Sequence, residues 1–266
     1  MPLHLPSGTT VLHASGTVTP PDASRSPAPA GLRLPDAAAD FRGASHEHSR
    51  RLLVMWNVRK AWRSGSRHIP SPQYVLRGCS LALDEGEQLL VAAERGAGAT
   101  TLLLVAAGIA RPDSGFVAGP WREGAGFVRF VPTTPAMPSS WTPRDAATAG
   151  AGSRWPAAAA VTAVERALRF NGIAEVADVE LRRLPVAAAW RASAAAAHLS
   201  GARLILMDRE PDDAVLLPAQ IQPLAVAEPV VFGSAVLRVV RPDSHIRQDT
   251  CTLHLRNGEL VSRKRG

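Results

Sequence analysis

The sequence predicts an α/β domain, and three observations lead to that prediction. Hydrophobic residues make up 46% of the 266 residues, which is enough to bury a sizeable core. Short apolar runs with the character of buried strands alternate with helical segments along the chain. Between one such run and the next helix lies a glycine-containing loop, Ala93 to Gly98, of the kind that precedes phosphate-binding helices. An α/β fold with a phosphate-type loop near its start is therefore expected.

The first half of the chain predicts several strands and one helix. Turn-forming residues at 84–87 and 111–115 separate runs that have strand character. A strand is expected at 52–56, a second over 74–76 and 79–83, a third at 88–92 and a fourth at 127–131, with a helix from Thr100 to about Ala107.

The second half predicts a loop, two helices and further strands. Residues 132–156 contain five prolines and little hydrophobic periodicity, so they are expected to be loop-like. Alanine-rich segments favour helices, and Asn257-Gly258 favours a tight turn. The predicted elements are helices over 157–170 and 187–199 and strands over 204–207, 230–232, 236–240 and 250–255.

The two ends of the chain differ from the middle. Residues 1–48 are rich in Pro, Ser, Thr, Ala and Gly and show no sustained apolar period. Such a composition buries too little apolar surface to offset the entropy of ordering, so this tail is predicted to be disordered. The folded domain is placed at residues 49–262, and residues 263–266 are predicted to be a short basic tail.

The formal net charge of +7 is of a kind often found in nucleic-acid-binding proteins. Here the charge is scattered along the chain, and every basic residue except Lys60 and Lys264 is an arginine, as GC-rich coding favours. No nucleic-acid partner is therefore expected.

The compartment is predicted from cysteines and apolar runs. Cys79 and Cys251 are the only cysteines, too few for a disulfide framework, so a reduced cytosol is expected. The chain does not begin with a signal-peptide pattern. Its longest apolar stretch, Leu102 to Ala110, is shorter than the roughly 20 residues that cross a bilayer, so no direct membrane insertion is expected.

The glycine-containing loop and the start of the next helix read AERGAGATT. Against the phosphate-loop pattern G-x-x-x-x-G-K-[ST], Gly98 and the hydroxyl of Thr100 are present, but Ala93 replaces the first glycine and Ala99 the lysine. Backbone N–H groups ahead of a helix still attract an anion, and Thr100 offers Mg²⁺ an oxygen. Loss of the lysine predicts phosphate affinity lower by about ten- to a hundredfold, unless Arg95 compensates.

A longer resemblance surrounds this loop. The stretch from Tyr74 to Gly115 reads YVLRGCSLALDEGEQLLVAAERGAGATTLLLVAAGIARPDSG. It resembles the opening of an ATP-binding cassette (ABC) ATPase domain, with its "vLrgvsl" strand, acidic-Gly-Glu turn, phosphate loop, "tLL…aG" and "rPdsG" in the same spacing. The resemblance implies a P-loop NTPase-like (RecA-like) core with an antiparallel β subdomain and a helical subdomain.

The resemblance runs from about residue 50 to residue 262. Trp62 falls where the family places an aromatic residue that stacks on adenine. Leu204 to Asp208 resembles the Walker B strand, and Leu253 to Val261 resembles the closing hairpin. Arg191 fits the arginine of the helix that follows the signature motif.

The resemblance also implies a nucleotide site. ATP and Mg²⁺ are the implied cofactors, bound weakly, with Thr100 and Asp208 as the Mg²⁺ ligands. No catalytic residue is assigned. The implied nucleotide-binding residues are Trp62, Arg95, Gly96, Gly98, Thr100, Thr101 and Asp208.

Most positions that touch ATP in the family carry other residues here. Thr133 stands in place of the glutamine, and Arg209 in place of the glutamate after the Walker B aspartate. The signature motif keeps only Leu184, and Ser234-Ala235 is assigned to the place of the Thr-His switch pair. With Ala99 in place of the lysine, these departures predict that hydrolysis has been lost. A further hypothesis is that Arg209 pairs with the Walker B aspartate and closes the site.

Four functions remain open from the sequence. The preferred one is a degenerate ABC transporter ATP-binding subunit that binds ATP weakly or not at all. It would assist assembly or regulation with a transmembrane permease subunit and an intact ABC ATPase subunit, in the cytoplasm at the inner face of the membrane. The alternatives are a soluble scaffold that reuses the fold, a divergent ATPase that uses Arg95 and Glu210, and a product under little constraint.

Overall fold

The computed structural model describes residues 51–62, 73–124, 126–212, 233–242 and 252–262. These residues form two β-sheets and a set of helices. The predicted disordered tail at 1–48, the basic tail at 263–266 and the predicted strand at 230–232 lie outside the described residues.

The first sheet is antiparallel and has three strands, which confirms the predicted antiparallel β subdomain. Its strands in chain order are β1 (Arg51–Trp62), β2 (Gln73–Asp84) and β4 (Ser114–Ala118), arranged β2-β1-β4. Strand β4 was not predicted, because a turn signal covers its start. The Asp113 carboxylate accepts hydrogen bonds from Lys60 Nζ at 2.9 Å and the Ala61 N–H at 2.6 Å, which fixes that turn against β1. These bonds hold the pKa of Asp113 below its usual value.

The second sheet has six strands, and all of its pairings are parallel except that of β8 with β9. Its spatial order is β5-β6-β7-β3-β8-β9. The strands β3, β6 and β7 read as nearly continuous apolar runs, as expected for the buried middle of a parallel sheet. Their bounds are β3 (Gln88–Ala93), β5 (Val128–Val131), β6 (Leu204–Met207), β7 (Ala235–Val240), β8 (Thr252–Arg256) and β9 (Glu259–Ser262).

The described helices are α1 (Ala99–Ala106), α2 (Pro143–Ala151), α3 (Ala157–Phe170) and α4 (Val186–Leu199). Helix α2 corrects the prediction that residues 132–156 are loop-like. Thr142 and Asp145 form a reciprocal capping box, and Pro143 occupies the first helical turn. Proline is favoured at that position because its missing N–H would have no partner there, so a residue counted as a helix breaker here starts one.

Two apolar clusters organise the core. One joins both sheets and α1, and the other joins α2, α3 and α4 in a helical subdomain. Together these parts confirm the predicted α/β architecture. None of the described helices has the length and apolar character needed to span a bilayer.

Candidate functional site

A cavity of about 400 Å³ lies where several parallel strands end. The glycine-containing loop follows β3, Thr133 follows β5, and Asp208 and Arg209 follow β6. Ligands in open α/β sheets bind at this carboxyl edge of the strands. The residues that line the cavity are Val75, Ala93, Glu94, Arg95, Gly96, Gly98, Ala99, Thr100, Thr101, Thr133, Asp208, Arg209 and Val239.

The loop has a backbone geometry that only glycine suits. Gly98 caps the start of α1 with φ of 98°, and a Cβ atom there would lie 2.8 Å from the Val75 carbonyl oxygen. Any other residue would clash with backbone and strain a left-handed conformation. Gly96 also has a positive φ, 80°, but faces open space. The loop therefore approaches the antiparallel sheet closely at Gly98 and leaves room on the cavity side at Gly96.

The two predicted Mg²⁺ ligands lie together. The Thr100 hydroxyl donates to Asp208 Oδ2 at 2.7 Å, although the two residues are 108 positions apart in sequence. Asp208 is 4% exposed, and its other carboxylate oxygen accepts the Arg209 N–H at 2.8 Å. Adjacent hydroxyl and carboxylate oxygens are ligands that Mg²⁺ accepts.

A divalent ion at this pair would need further oxygens. Across the described residues, no group of three or more His, Cys, Asp and Glu side chains could hold a metal ion. Mg²⁺ commonly combines one or two protein ligands with phosphate oxygens and waters. The residues present therefore fit Mg²⁺ that arrives with a polyphosphate, held by Thr100 and Asp208.

Trp62 lies beside the cavity but does not line it. Its Nε1–H donates to the Thr101 hydroxyl at 3.1 Å, which ties the end of β1 to helix α1. The Lys60 ammonium lies 4.9 Å from the centre of the indole, and Trp62 is 45% exposed. An exposed indole in this position can stack on a planar ring, so its predicted adenine contact stays a prediction.

Positive charge enters the cavity from residues other than the missing lysine. Arg95 and Arg209 are lining residues, while Ala99 supplies no charge. The Arg95 guanidinium pairs with Asp212, and Arg241, directly after β7, lies 3.7 Å from the same carboxylate. Asp212 is therefore shared between two arginines at the cavity mouth, a cluster that the sequence analysis did not identify.

The hypothesis that Arg209 pairs with Asp208 and closes the site is not supported. The structure contains no salt bridge between their side chains, and Asp208 instead accepts the Thr100 hydroxyl and the backbone N–H of Arg209. Burial lowers the pKa of Arg209, and the positive charges of Arg95 and Arg241 lower it further. Arg209 thus lines the cavity as a cation whose surroundings disfavour its charge.

Glu210 does not replace the missing glutamate. Its carboxylate accepts a hydrogen bond from Arg191 Nε at 2.6 Å and lies 3.8 Å from Arg238 Nη2. Arg191 lies on α4 and Arg238 on β7, and neither side chain lines the cavity. Burial lowers the pKa of Arg238 to about 10, and its guanidinium lies 5.4 Å from the centre of the Trp190 ring system. Glu210 is absent from the cavity lining, so it does not lie where a divergent ATPase that uses Glu210 would need it.

The assignment of Ser234-Ala235 to the switch pair is also wrong. The register pairs Gln88 with Val236, so Ser234 precedes β7 at the amino end of the sheet, opposite the phosphate-type loop. Its hydroxyl donates to the Ala202 carbonyl at 2.5 Å. The residue that follows the carboxyl end of β7 is Arg241. The apolar run 236–240 was the sequence signal for this position, because a switch residue follows the strand and does not precede it.

Comparisons with known proteins agree with this geometry. No protein-family model matches the sequence, and no curated protein matches it. Solved structures do match. A dimeric ATP-binding cassette in a post-hydrolysis state bound to ADP and Pi has a TM-score of 0.60 and 18% identity, over 81% of this chain and 100% of that one.

Two other solved structures give similar values. CbiO1 from Clostridium perfringens, part of the ABC transporter complex cbiONQ, has a TM-score of 0.58 and 16% identity over 79% of this chain and 87% of that one. A nucleotide-free ATP-binding cassette from an ABC transporter has a TM-score of 0.55 and 18% identity over 82% and 92%. This chain therefore has the fold of the ATP-binding cassettes of ABC transporters.

Proposed function

We propose that this chain is a degenerate ABC-type ATP-binding subunit that binds nucleotide weakly, does not hydrolyse it, and acts as an assembly or regulatory partner in a transporter. The observation that carries the proposal is the contact between Thr100 and Asp208 beside a glycine loop, in a cavity from which the expected lysine and glutamate are missing.

Retained geometry supports nucleotide binding. The loop, the start of α1 and the Thr100–Asp208 pair line one cavity. Backbone N–H groups at a helix start attract phosphate oxygens, and the Thr100–Asp208 pair suits Mg²⁺ when a phosphate supplies the remaining ligands. Without the lysine, the expected Kd for Mg-ATP is on the order of 0.1 mM or weaker.

Altered chemistry supports the loss of hydrolysis. Phosphoryl transfer to water needs a group that orients the attacking water and positive charge placed on the transferred phosphate. Thr133 and Arg209 occupy the places where the family has glutamine and glutamate, and Glu210 is held by Arg191 behind the cavity. Asp208 accepts the Thr100 hydroxyl, which engages the carboxylate that follows β6.

A transporter role accounts for a domain that keeps this fold without its chemistry. Similar solved structures are parts of ABC transporters, one of them in the cbiONQ complex. The proposed partners are a transmembrane permease subunit and an intact ABC ATPase subunit, with this chain held at the inner face of the membrane through them. Thr100 and Asp208 would then sense nucleotide and not consume it.

The test is calorimetry of Mg-ATP with the full chain, together with a phosphate-release assay. Wild type is expected to bind weakly and to release no phosphate above background. Asp208→Asn is expected to weaken Mg-ATP binding about tenfold, because a charged ligand to Mg²⁺ becomes neutral. Asp145→Asn, which changes the same chemistry at the α2 cap away from the cavity, serves as the matched control.

A restoring variant sharpens the result. Ala99→Lys returns a lysine to the phosphate loop and is expected to tighten Mg-ATP binding about ten- to a hundredfold. Turnover that disappears in Asp208→Asn would mean that the chain is an active ATPase. Absence of nucleotide binding in both wild type and Ala99→Lys would point instead to a scaffold that reuses the fold.

A further inference from the structure

We propose that the cavity holds a polyphosphate chain on arginine side chains, so that binding does not require a divalent cation. This inference rests on the proposed function and specifies the ligand class of the same cavity.

Two arginines from separate segments line the cavity, and a third shares a carboxylate with one of them. Arg95 comes from the glycine-containing loop, Arg209 follows β6, and Arg241 follows β7. Arg95 and Arg209 line the cavity, and Arg95 and Arg241 meet at the carboxylate of Asp212. Side chains from distant parts of the chain therefore bring the guanidinium groups of Arg95 and Arg209 to one cavity.

Among the residues that the structure describes, no carboxylate forms a salt bridge with one of these arginines, Arg209. Asp208 is engaged by the Thr100 hydroxyl and the Arg209 N–H, and Asp212 is shared by Arg95 and Arg241. The Arg209 guanidinium has no ion pair with any residue that the structure describes. A planar guanidinium donates paired hydrogen bonds to phosphate oxygens, so a phosphate chain matches the uncompensated charge.

The same arrangement disfavours a tightly held Mg²⁺. In Mg²⁺-dependent sites the metal neutralises the phosphate oxygens, and its protein ligands are carboxylates and hydroxyls. Here Arg209 is the neighbour of Asp208, one of the two candidate Mg²⁺ ligands, and like charges at short range repel strongly in a partly buried site. Guanidinium groups therefore supply the neutralising charge that the metal supplies elsewhere.

Asp212 acts as an internal competitor in this site. Its carboxylate already holds Arg95 and Arg241 at the mouth, with 43% of its side chain exposed. A polyphosphate that recruits these arginines must displace an exposed ion pair, which is worth at most about 1 kcal/mol. Removal of this carboxylate charge should therefore tighten binding and not weaken it.

The experiment is calorimetry of the full chain with ATP and, separately, with inorganic tripolyphosphate, each in excess EDTA and in excess Mg²⁺. Wild type is expected to bind ATP in EDTA measurably, with an affinity about tenfold below that in Mg²⁺. Arg209→Gln is expected to weaken binding in EDTA about tenfold or more, while Arg209→Lys retains most of it. Asp212→Asn is expected to tighten binding about two- to fivefold.

Arg183→Gln is the matched control for charge and exposure. The Arg183 side chain is 71% exposed and paired with Glu180 outside the cavity lining, compared with 73% for Arg95. This control should leave every affinity unchanged. If Arg209→Gln lowers the unfolding midpoint, Arg95→Gln replaces it, because Arg95 is at the surface, and a loss of about threefold is expected in EDTA.

The outcomes separate this inference from the proposed function. If wild type binds ATP in Mg²⁺ but not in EDTA, the arginine site is overturned and weak Mg-ATP binding still stands. The same conclusion follows if a well-folded Arg209→Gln variant binds ATP in EDTA as tightly as wild type does. Absence of binding under both conditions overturns the proposed nucleotide function itself. If tripolyphosphate binds as tightly as ATP, the site recognises free polyphosphates. If ATP binds more tightly than tripolyphosphate, the site recognises nucleotides.

Discussion

Two clusters with the same composition lie on either side of the segment from Asp208 to Asp212. At the cavity mouth Asp212 is shared by Arg95 and Arg241, and behind the cavity Glu210 is shared by Arg191 and Arg238. The two clusters differ in solvent exposure. The side chains in front are 43–73% exposed, whereas those behind are 5–16% exposed.

This difference in exposure decides what each cluster can do. Water and salt screen the front cluster, so its ion pairs exchange with a ligand at little loss of stability. The rear cluster lies in a low-dielectric environment, where removal of one partner leaves charge buried without compensation. The same grouping of two arginines around one carboxylate is therefore free to exchange partners where it is exposed and contributes to stability where it is buried.

Glu210→Gln should give the largest effect and tests the rear cluster. The variant leaves Arg191 and Arg238 buried beside a neutral amide, so the free energy of unfolding is expected to fall by about 3–5 kcal/mol. Urea unfolding followed by tryptophan fluorescence measures it. The matched control is Glu180→Gln, whose carboxylate also takes two arginines but at the surface, and it should lose less than about 1 kcal/mol. If both variants lose the same free energy of unfolding, burial does not explain the difference between the two kinds of cluster.

His198 gives an intermediate effect that depends on pH. Burial, and then the charge of Arg238, lower the pKa of His198 to about 4 in the folded chain. The unfolded histidine, with a pKa near 6.5, binds the proton more readily, so stability is present above that pH and is lost as pH falls towards 4. Between pH 7 and pH 5 the expected loss is about 2 kcal/mol.

The pH prediction is checked by urea unfolding at both pH values in wild type and His198→Gln. The variant should lose most of the pH dependence in this window. The pKa values of Asp113 and Asp178 lie below their ordinary value of 3.8, so the stability that their ionised forms contribute is lost only at more acidic pH. A slope that His198→Gln leaves intact would show that this histidine is not its source.

Asp212→Asn should give the smallest effect on stability. Both of its ion pairs are exposed at the cavity mouth, so the free energy of unfolding is expected to change by less than about 1 kcal/mol. The same urea titration measures it, at low and at high salt. A loss comparable to that of Glu210→Gln would mean that the front cluster is structural too.

The sequence predicted most of the framework because local signals agreed with the tertiary structure. The apolar runs that became β3 and β6, and the glycine loop between β3 and α1, were placed within about a residue. The resemblance assigned Thr100 and Asp208 to one site, and the structure brings them together because Thr100 opens the helix after the glycine loop and Asp208 directly follows β6. Such features depend on short stretches of chain.

Other features were missed because they depend on contacts between distant residues. Helix α2 was hidden by prolines whose effect depends on position in the helix, and the capping box of Thr142 and Asp145 was the available signal. The switch-pair assignment was wrong at Ser234 because this residue precedes β7, at the edge of the sheet opposite the glycine loop. The sharing of Asp212 and Glu210 by four arginines from three segments follows only from the three-dimensional fold.

The order of residues after β6, Asp208-Arg209-Glu210-Pro211, also has an evolutionary consequence. In-frame loss of the single codon for Arg209 would leave an Asp-Glu-Pro sequence directly after β6, with the glutamate in the place that the ABC resemblance assigns to it. That glutamate would have to leave Arg191 and Arg238, to which it is now paired. One in-frame deletion would thus place a glutamate directly after Asp208, and the buried guanidinium groups of Arg191 and Arg238, left without that carboxylate, would oppose the change.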